Sequence, residues 1–330
     1  MQKKKLRFIL YILTFLFSMQ VAIPTYINSS FLELHLPEKA IGFLYTIASL
    51  FTILSLLTIP VLLRKIGNFA TTLFLVTINI AVALILAFSP NTYLVLSAFI
   101  LLLVVHTTIG FNLDIFLEKQ TDDRNTGNIR GIYMTIANMA WVISPALAGL
   151  LLTNGDYWKI YLISSLILLP FLILFSIGFK SFKDPIYNKT LFCKTFRKIH
   201  ENKNIFKIFM VRSFLQFFYS WMVIYTPIYL HKYIGFEWKM IGIIFTIMLL
   251  PFILFELPMG ILADKKYGEK EILNLGIVIL VISTISLSFI NSSLFLIWAG
   301  VLFATRIGAS FIEIMAESYF FKHVEEKDID

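Results

Sequence analysis

Hydrophobic residues run in long unbroken stretches along the 330-residue chain, and the polar residues gather between them. The stretches neither alternate as a half-buried strand would nor keep to one stripe of a helix. Each spans roughly 20 residues, enough to cross ~30 Å of hydrocarbon as a helix. In lipid only helices and closed barrels satisfy their own backbone, and continuous apolar runs read as helices. The pattern predicts ten spans, over 8–28, 40–63, 69–89, 92–116, 129–153, 157–178, 206–230, 239–262, 271–290 and 293–318. The expected class is an all-α polytopic membrane protein.

Composition agrees, with 58% hydrophobic residues, 33 Phe and only 15% charged residues, which excludes an ordinary soluble domain. Cys193 is the sole cysteine, so neither a disulfide framework nor a multi-thiol metal site is expected. The basic start, Lys3-Lys4-Lys5-Leu6-Arg7, precedes an apolar run without a small-x-small cleavage site, and reads as a retained first helix. A net charge of +8 invites a nucleic-acid partner, but its distribution argues against one. Of the 28 Lys and Arg, 22 lie on the side that holds both termini. Four (Lys39, Lys159, Lys232 and Lys239) lie on the other, and Arg212 and Arg306 lie within spans. The positive-inside rule then predicts a multi-pass protein of the plasma or inner membrane with both termini cytoplasmic.

Six spans joined by short loops form a first bundle, 1–178. A basic cytoplasmic linker follows at 179–205, and four further spans fill 206–330. Within the linker, Thr190 to Asn204 interleaves Leu191, Phe192, Phe196 and Ile199 with Lys194, Arg197, Lys198 and Lys203. It reads either as an amphipathic helix on the anionic inner leaflet or as a solvated tether. Residues 41–65 laid on 241–265 without gaps give ten identities in 25 positions, among them Gly42 with Gly242, Thr46 with Thr246 and Lys65 with Lys265. Ile109-Gly110 echoes Ile307-Gly308 in the same register of spans. Two related halves are expected, and the second is short of two spans. Either the chain lacks spans 11 and 12 of a longer product or it is a ten-helix variant.

The turn at Gly260, Leu262, Ala263, Asp264, Lys265, Gly268 and Lys270 carries the most specific signal. It resembles the loop motif of the major facilitator superfamily, G-x-L-A-D-[RK]-x-G-[RK]-[RK], with Tyr267 inserted and Glu269 at a usually basic position. The resemblance implies two six-helix bundles, the second incomplete here, and transport by alternating access. It further implies that Asp264 meets the start of span five, near Arg130, as a cytoplasmic latch. Lys265 or Lys270 would pair with Glu313 or Glu317, and Arg64 with Asp114 or Glu118. Span five, Gly131 to Gly149, fits the spacing of the family's antiporter motif with Ala140, Ser144 and Ala148 in place of three glycines. Its small residues form one stripe, a packing face that by resemblance serves span eight, and Pro145 bends the helix. That motif leans the reading towards efflux.

Charges inside spans cost ~2.5–3.5 kcal/mol each near the centre, so each asks for a reason. His106, Glu256 and Arg306 lie deepest and are the proton-coupling candidates; Glu256 is roughly 12 Å from Asp264 along its helix. The competing readings are a buried pair between Glu256 and Arg306, and a histidine hydrogen-bonded between helices. The family's proton-coupled members have an arginine where His106 stands. Gln20, Asn138, Trp141, Gln216 and Tyr219 are the candidate substrate contacts, suited to a neutral, amphipathic or weakly cationic molecule. No catalytic residue, metal site or cofactor motif emerges, so no enzyme is expected. The expected partners are a small-molecule substrate, the bilayer and, as coupling ion, a proton, with the protein acting as a monomer. The alternatives are a sugar or amino-acid uptake permease and a non-transporting sensor or degenerate protein.

Cys193 tests the orientation. In intact cells it should resist a membrane-impermeant maleimide and react once the cells are permeabilised. Asn91→Cys in a Cys193→Ser background should react in intact cells, and the reverse pattern would invert the topology.

Overall fold

The computed structural model describes residues 2–120, 126–152, 155–185, 187, 200–263, 267–290 and 292–323. The chain divides into two compact units, Met1–Lys189 and Thr190–Asp330.

The first unit comprises α1 (Gln2–Thr25), the short α2 (Asn28–Leu32), α3 (Glu38–Phe88), α4 (Thr92–Gln120), α5 (Thr126–Leu151) and α6 (Tyr157–Phe179). At 51 residues α3 would be about 76 Å long if straight, more than twice the hydrocarbon thickness. It is two spans with a turn between them, because Gly67 takes φ +79°, a region where glycine alone pays no Cβ penalty. The predicted spans 40–63 and 69–89 are its two arms. Asp184, just past α6, returns to this turn and its Oδ1 accepts from the Asn68 N–H at 2.8 Å. A carboxylate there answers the partial positive charge of the second arm's start. Tyr187 also donates to Asp184 Oδ1, at 2.5 Å; burial and the carboxylate together push its phenol well above its usual range.

Inside this unit α1 packs on α5 and α6, and α3 on α4 and α6. Phe171, Phe175 and Phe179 recur every fourth residue, so they stack along one face of α6 with ring centroids 5.7 Å apart. Phe116 of α4 meets Phe175 and Phe179 edge-on, a favoured arrangement of the ring quadrupoles.

The second unit comprises α7 (Lys203–Ile228), α8 (Trp238–Leu254), α9 (Glu256–Leu262), α10 (Glu269–Leu287) and α11 (Phe295–His323). Asn202 caps α7, its side-chain oxygen accepting from the N–H groups of Asn204 and Ile205. The helix then loosens into a wide π turn at Tyr229–Tyr233. The eighth predicted span is interrupted at Phe255, where Pro258 has no N–H for the carbonyl of Leu254. Glu256 therefore stands in the first turn of α9. Helix α11 is the centre of the unit, packed by α7, α8, α9 and α10.

Among the described residues nine helices are long and apolar enough to cross a membrane, α3 counting as one and α8 with α9 as one. With α3 crossing twice, ten spans result. Large apolar side chains such as Ile177 (76% exposed) and Phe217 (74%) lie on outer faces, as expected where lipid replaces water as the solvent.

Helices α10 and α11 touch backbone to backbone. A Cβ built on Gly308 would lie 2.6 Å from Leu280 N and 2.7 Å from Gly276 O, and one on Gly276 would lie 2.9 Å from Gly308 O. Gly300, by contrast, has nothing within 4 Å. Gly308→Ala should therefore lower the melting temperature in detergent, by the equivalent of about 2 kcal/mol. Gly300→Ala should leave it unchanged or slightly higher.

Candidate functional site

Each unit concentrates its buried polar groups in one place. In the first, the lattice centres on Gln20 of α1, whose side chain is fully buried. Its Nε2 lies 3.3 Å from Asn79 Oδ1, 3.0 Å from His106 Nε2 and 3.1 Å from Ser164 Oγ. Two amide hydrogens serve these three acceptors. Asn79 returns a bond to Gln20 Oε1 at 3.3 Å, and Ser164 donates to the Gln20 carbonyl at 2.9 Å. In this arrangement His106 Nε2 is an acceptor, and the imidazole stands edge-on to Phe17 at 6.3 Å. The four side chains come from α1, α3, α4 and α6, so the lattice ties four helices together. About two turns along α3 and α4, Asn68, Thr72 and Asn112 close a second hydrogen-bonded ring. Asn28 accepts from Tyr161 at 2.8 Å near the opposite end. All of these groups are neutral amides, hydroxyls or an imidazole.

The second unit holds charges instead. Arg306 of α11 is only 2% exposed, yet its Nε and Nη1 have no hydrogen-bond partner. Two aromatic rings of α7 hold it, with the guanidinium carbon 5.3 Å from the Phe218 centroid and 5.0 Å from that of Tyr219. Such contacts are worth about 2 kcal/mol when desolvated. The Tyr219 hydroxyl donates to Glu313 Oε2 at 2.7 Å. Glu313 in turn lies within electrostatic reach of Arg212, Glu317 and Arg306, and Glu256 within reach of Glu313 and Glu317. Of these three carboxylates Glu313 is the one within reach of both guanidinium groups, with the Tyr219 phenol as the link between acid and base. Seven residues separate Arg212 from Tyr219 and likewise Arg306 from Glu313, two helical turns, which puts each pair on one face.

The other residues expected at a site are dispersed. Asn138 and Trp141 are half-buried on α5, and Gln216 is exposed. Ala140, Ser144 and Ala148 are buried, and Ser144 donates to Met19 of α1 at 3.3 Å, so the small-residue stripe serves the first helix of its own bundle. Arg64 and Arg130 are exposed. Asp114 accepts a hydrogen bond from Tyr133 and feels the charges of Arg130 and Glu118. Gly260 is half-buried, with Ile314 at ordinary contact distance from a Cβ placed there. Gly268 takes φ +85° and donates to the Ala263 carbonyl at 2.9 Å. Lys270 sits 5.6 Å over the Tyr319 ring. Asp264 and Lys265 lie outside the described residues, as do residues 188–199 of the linker.

Sequence reasoning missed Asn79 and Ser164, single polar residues in apolar spans that carry the same signal as Gln20. It missed Phe218 for want of any signal among 33 phenylalanines. Arg212, one of the two basic residues within spans, belongs with the charged cluster.

The family model of the Major Facilitator Superfamily matches residues 8–328. No curated protein sequence matches the chain. Among solved structures it is similar to a bacterial homologue of the human lysosomal transporter Spinster, inward-facing and unoccupied. The two share 11% identity over 99% of this chain and 77% of that one, with a TM-score of 0.73. A point variant of the nucleoside transporter NupG shares 13% identity over 98% of this chain and 84% of its own, also with a TM-score of 0.73. At these identities the likeness concerns the fold.

Arg306 lies over the rings of Phe218 and Tyr219 and within electrostatic reach of Glu313, and removing one charge of such a buried set costs about 3–5 kcal/mol. Arg306→Met should therefore melt lower than the native protein in detergent. A melting temperature equal to or above the native one would mean that the carboxylate does not depend on the guanidinium.

Proposed function

Because the chain belongs to the major facilitator superfamily, whose members are multi-pass membrane transporters and not enzymes, we propose that it moves a small molecule by alternating access, in the direction of efflux, with a proton as the coupling ion. The observation that carries the coupling is the group of Glu256, Glu317 and Glu313, the last within reach of Arg212 and Arg306. An apolar surrounding penalises net charge, and here the acids outnumber the bases by one. The surplus carboxylate is the place where a proton is taken up and released. Glu256 fills that role best, since it stands at the break between α8 and α9. Arg306, free of a bidentate partner, supplies the charge against which the protonation state is read.

The direction rests on the resemblance of Gly131 to Gly149 to the antiporter motif. Orientation, with both termini in the cytoplasm of a cell membrane, rests on the asymmetry of Lys and Arg. Tyr219, Asn138, Trp141 and Gln216 remain the proposed substrate contacts. Gln20 and His106 are given a supporting role, holding the first bundle at the position where substrate passes.

Glu256→Gln in proteoliposomes separates binding from coupling. The variant should retain substrate exchange at equal pH on both sides and lose accumulation driven by a pH gradient. Gradient-driven flux equal to the native rate would remove Glu256 from the coupling mechanism.

A further inference from the structure

The start of α7 holds a pocket beside the carboxylate cluster. It measures about 90 Å³ and is lined by Ile205, Ile208, Phe209 and Arg212, with Phe320 closing it from α11. Ile205, Ile208, Phe209 and Arg212 follow the i, i+3, i+4, i+7 rule, so the pocket is one face of α7 met by the end of α11. Its walls are hydrocarbon except for one half-buried guanidinium. Exposed Lys203 and Lys207 stand outward of it on α7, Lys207 about 7.5 Å from Arg212 along the helix. Lys203 and Lys207 against Glu201 leave this end of the helix cationic.

We propose that this pocket receives an anionic phospholipid, with the phosphodiester on Arg212 and the first methylenes of an acyl chain against Ile205, Phe209 and Phe320. Apolar walls disfavour a hydrated inorganic ion, whereas a lipid brings both the hydrocarbon that fills them and the phosphate that a guanidinium forks onto. A spanning protein has such molecules already at its perimeter, and basic pockets at the inner ends of spans are suited to anionic headgroups. Arg212 forms no ion pair within 4 Å among the described residues, so it is open to a phosphate. Its present electrostatic counterpart is Glu313. A bound phosphate competes with Glu313 for Arg212 and so connects the lipid composition of the leaflet to the carboxylate cluster.

The site is scored by binding alone, so it stands or falls independently of proton coupling. The protein is reconstituted in nanodiscs of equal parts phosphatidylcholine and phosphatidylglycerol, extracted gently and analysed for retained lipid by native mass spectrometry. Phosphatidylglycerol should be retained about fivefold over phosphatidylcholine. Arg212→Gln should abolish the preference, and so should Ile205→Trp, which fills the pocket and leaves the guanidinium in place. Both variants should melt within a few degrees of the native protein; if Arg212→Gln fails to fold, Ile205→Trp decides. Equal retention of the two lipids by the native protein would overturn the proposal. So would an unchanged preference in Ile205→Trp, or Arg212-dependent retention of oleate in place of phospholipid.

Discussion

Hydrocarbon offers no partner to a polar group, and the rest of this structure follows from that one lack. It dictates helices, since only they satisfy their own backbone within a segment. It also governs the small polar side chains. Thr46, Thr52, Thr77, Ser213 and Ser286 turn their hydroxyls back onto the carbonyl four residues earlier, so a polar residue on a span costs little even where no other helix is near. Larger polar groups cannot hide that way. Gln20, Asn79 and His106 therefore come together, and a residue on one helix fixes the position of residues on three others.

The same rule is met differently in the two units. The first encloses neutral donors and acceptors that answer one another, a lattice that ties its helices together. The second encloses groups that carry charge. There a phenol, two ring faces and a set of carboxylates take the place of water around Arg306 and Arg212. The first is built from amides and hydroxyls around one imidazole, while the second changes its net charge with each proton its carboxylates gain or lose. In the sequence repeat this difference sits at the mismatches, with Glu256 opposite Leu56 and Arg306 opposite Thr108.

Much of the architecture was legible from the chain. Apolar run length is a one-dimensional quantity, and so the spans fell within a few residues of their helices. The exceptions have local causes. The chain turns at Gly67 without leaving a helical hydrogen-bond pattern long enough to separate two assignments, and Pro258 interrupts a run whose hydropathy never falls. The sites were less legible. Tyr219, Glu256, Arg306 and Glu313 were all singled out, but in three different roles, as substrate contact, proton group and gate. Sequence spacing along separate helices does not say which of them face each other; α11 does, by presenting Arg306 and Glu313 to α7. Ser144 of the small-residue stripe donates to Met19 of α1, a partner that the spacing of the stripe does not announce.

The contact of Gly276 with Gly308 has a mechanical consequence. Where Gly308 meets α10 no side chain separates the two backbones, so neither helix can rotate about its axis there without driving backbone into backbone. The pair is a stiff double rod. Gly308 is two residues from Arg306 and five from Glu313, so a push generated by rearranging charge at those residues is not dissipated locally. It is delivered whole to α10, down to the turn at Gly268 from which that helix begins.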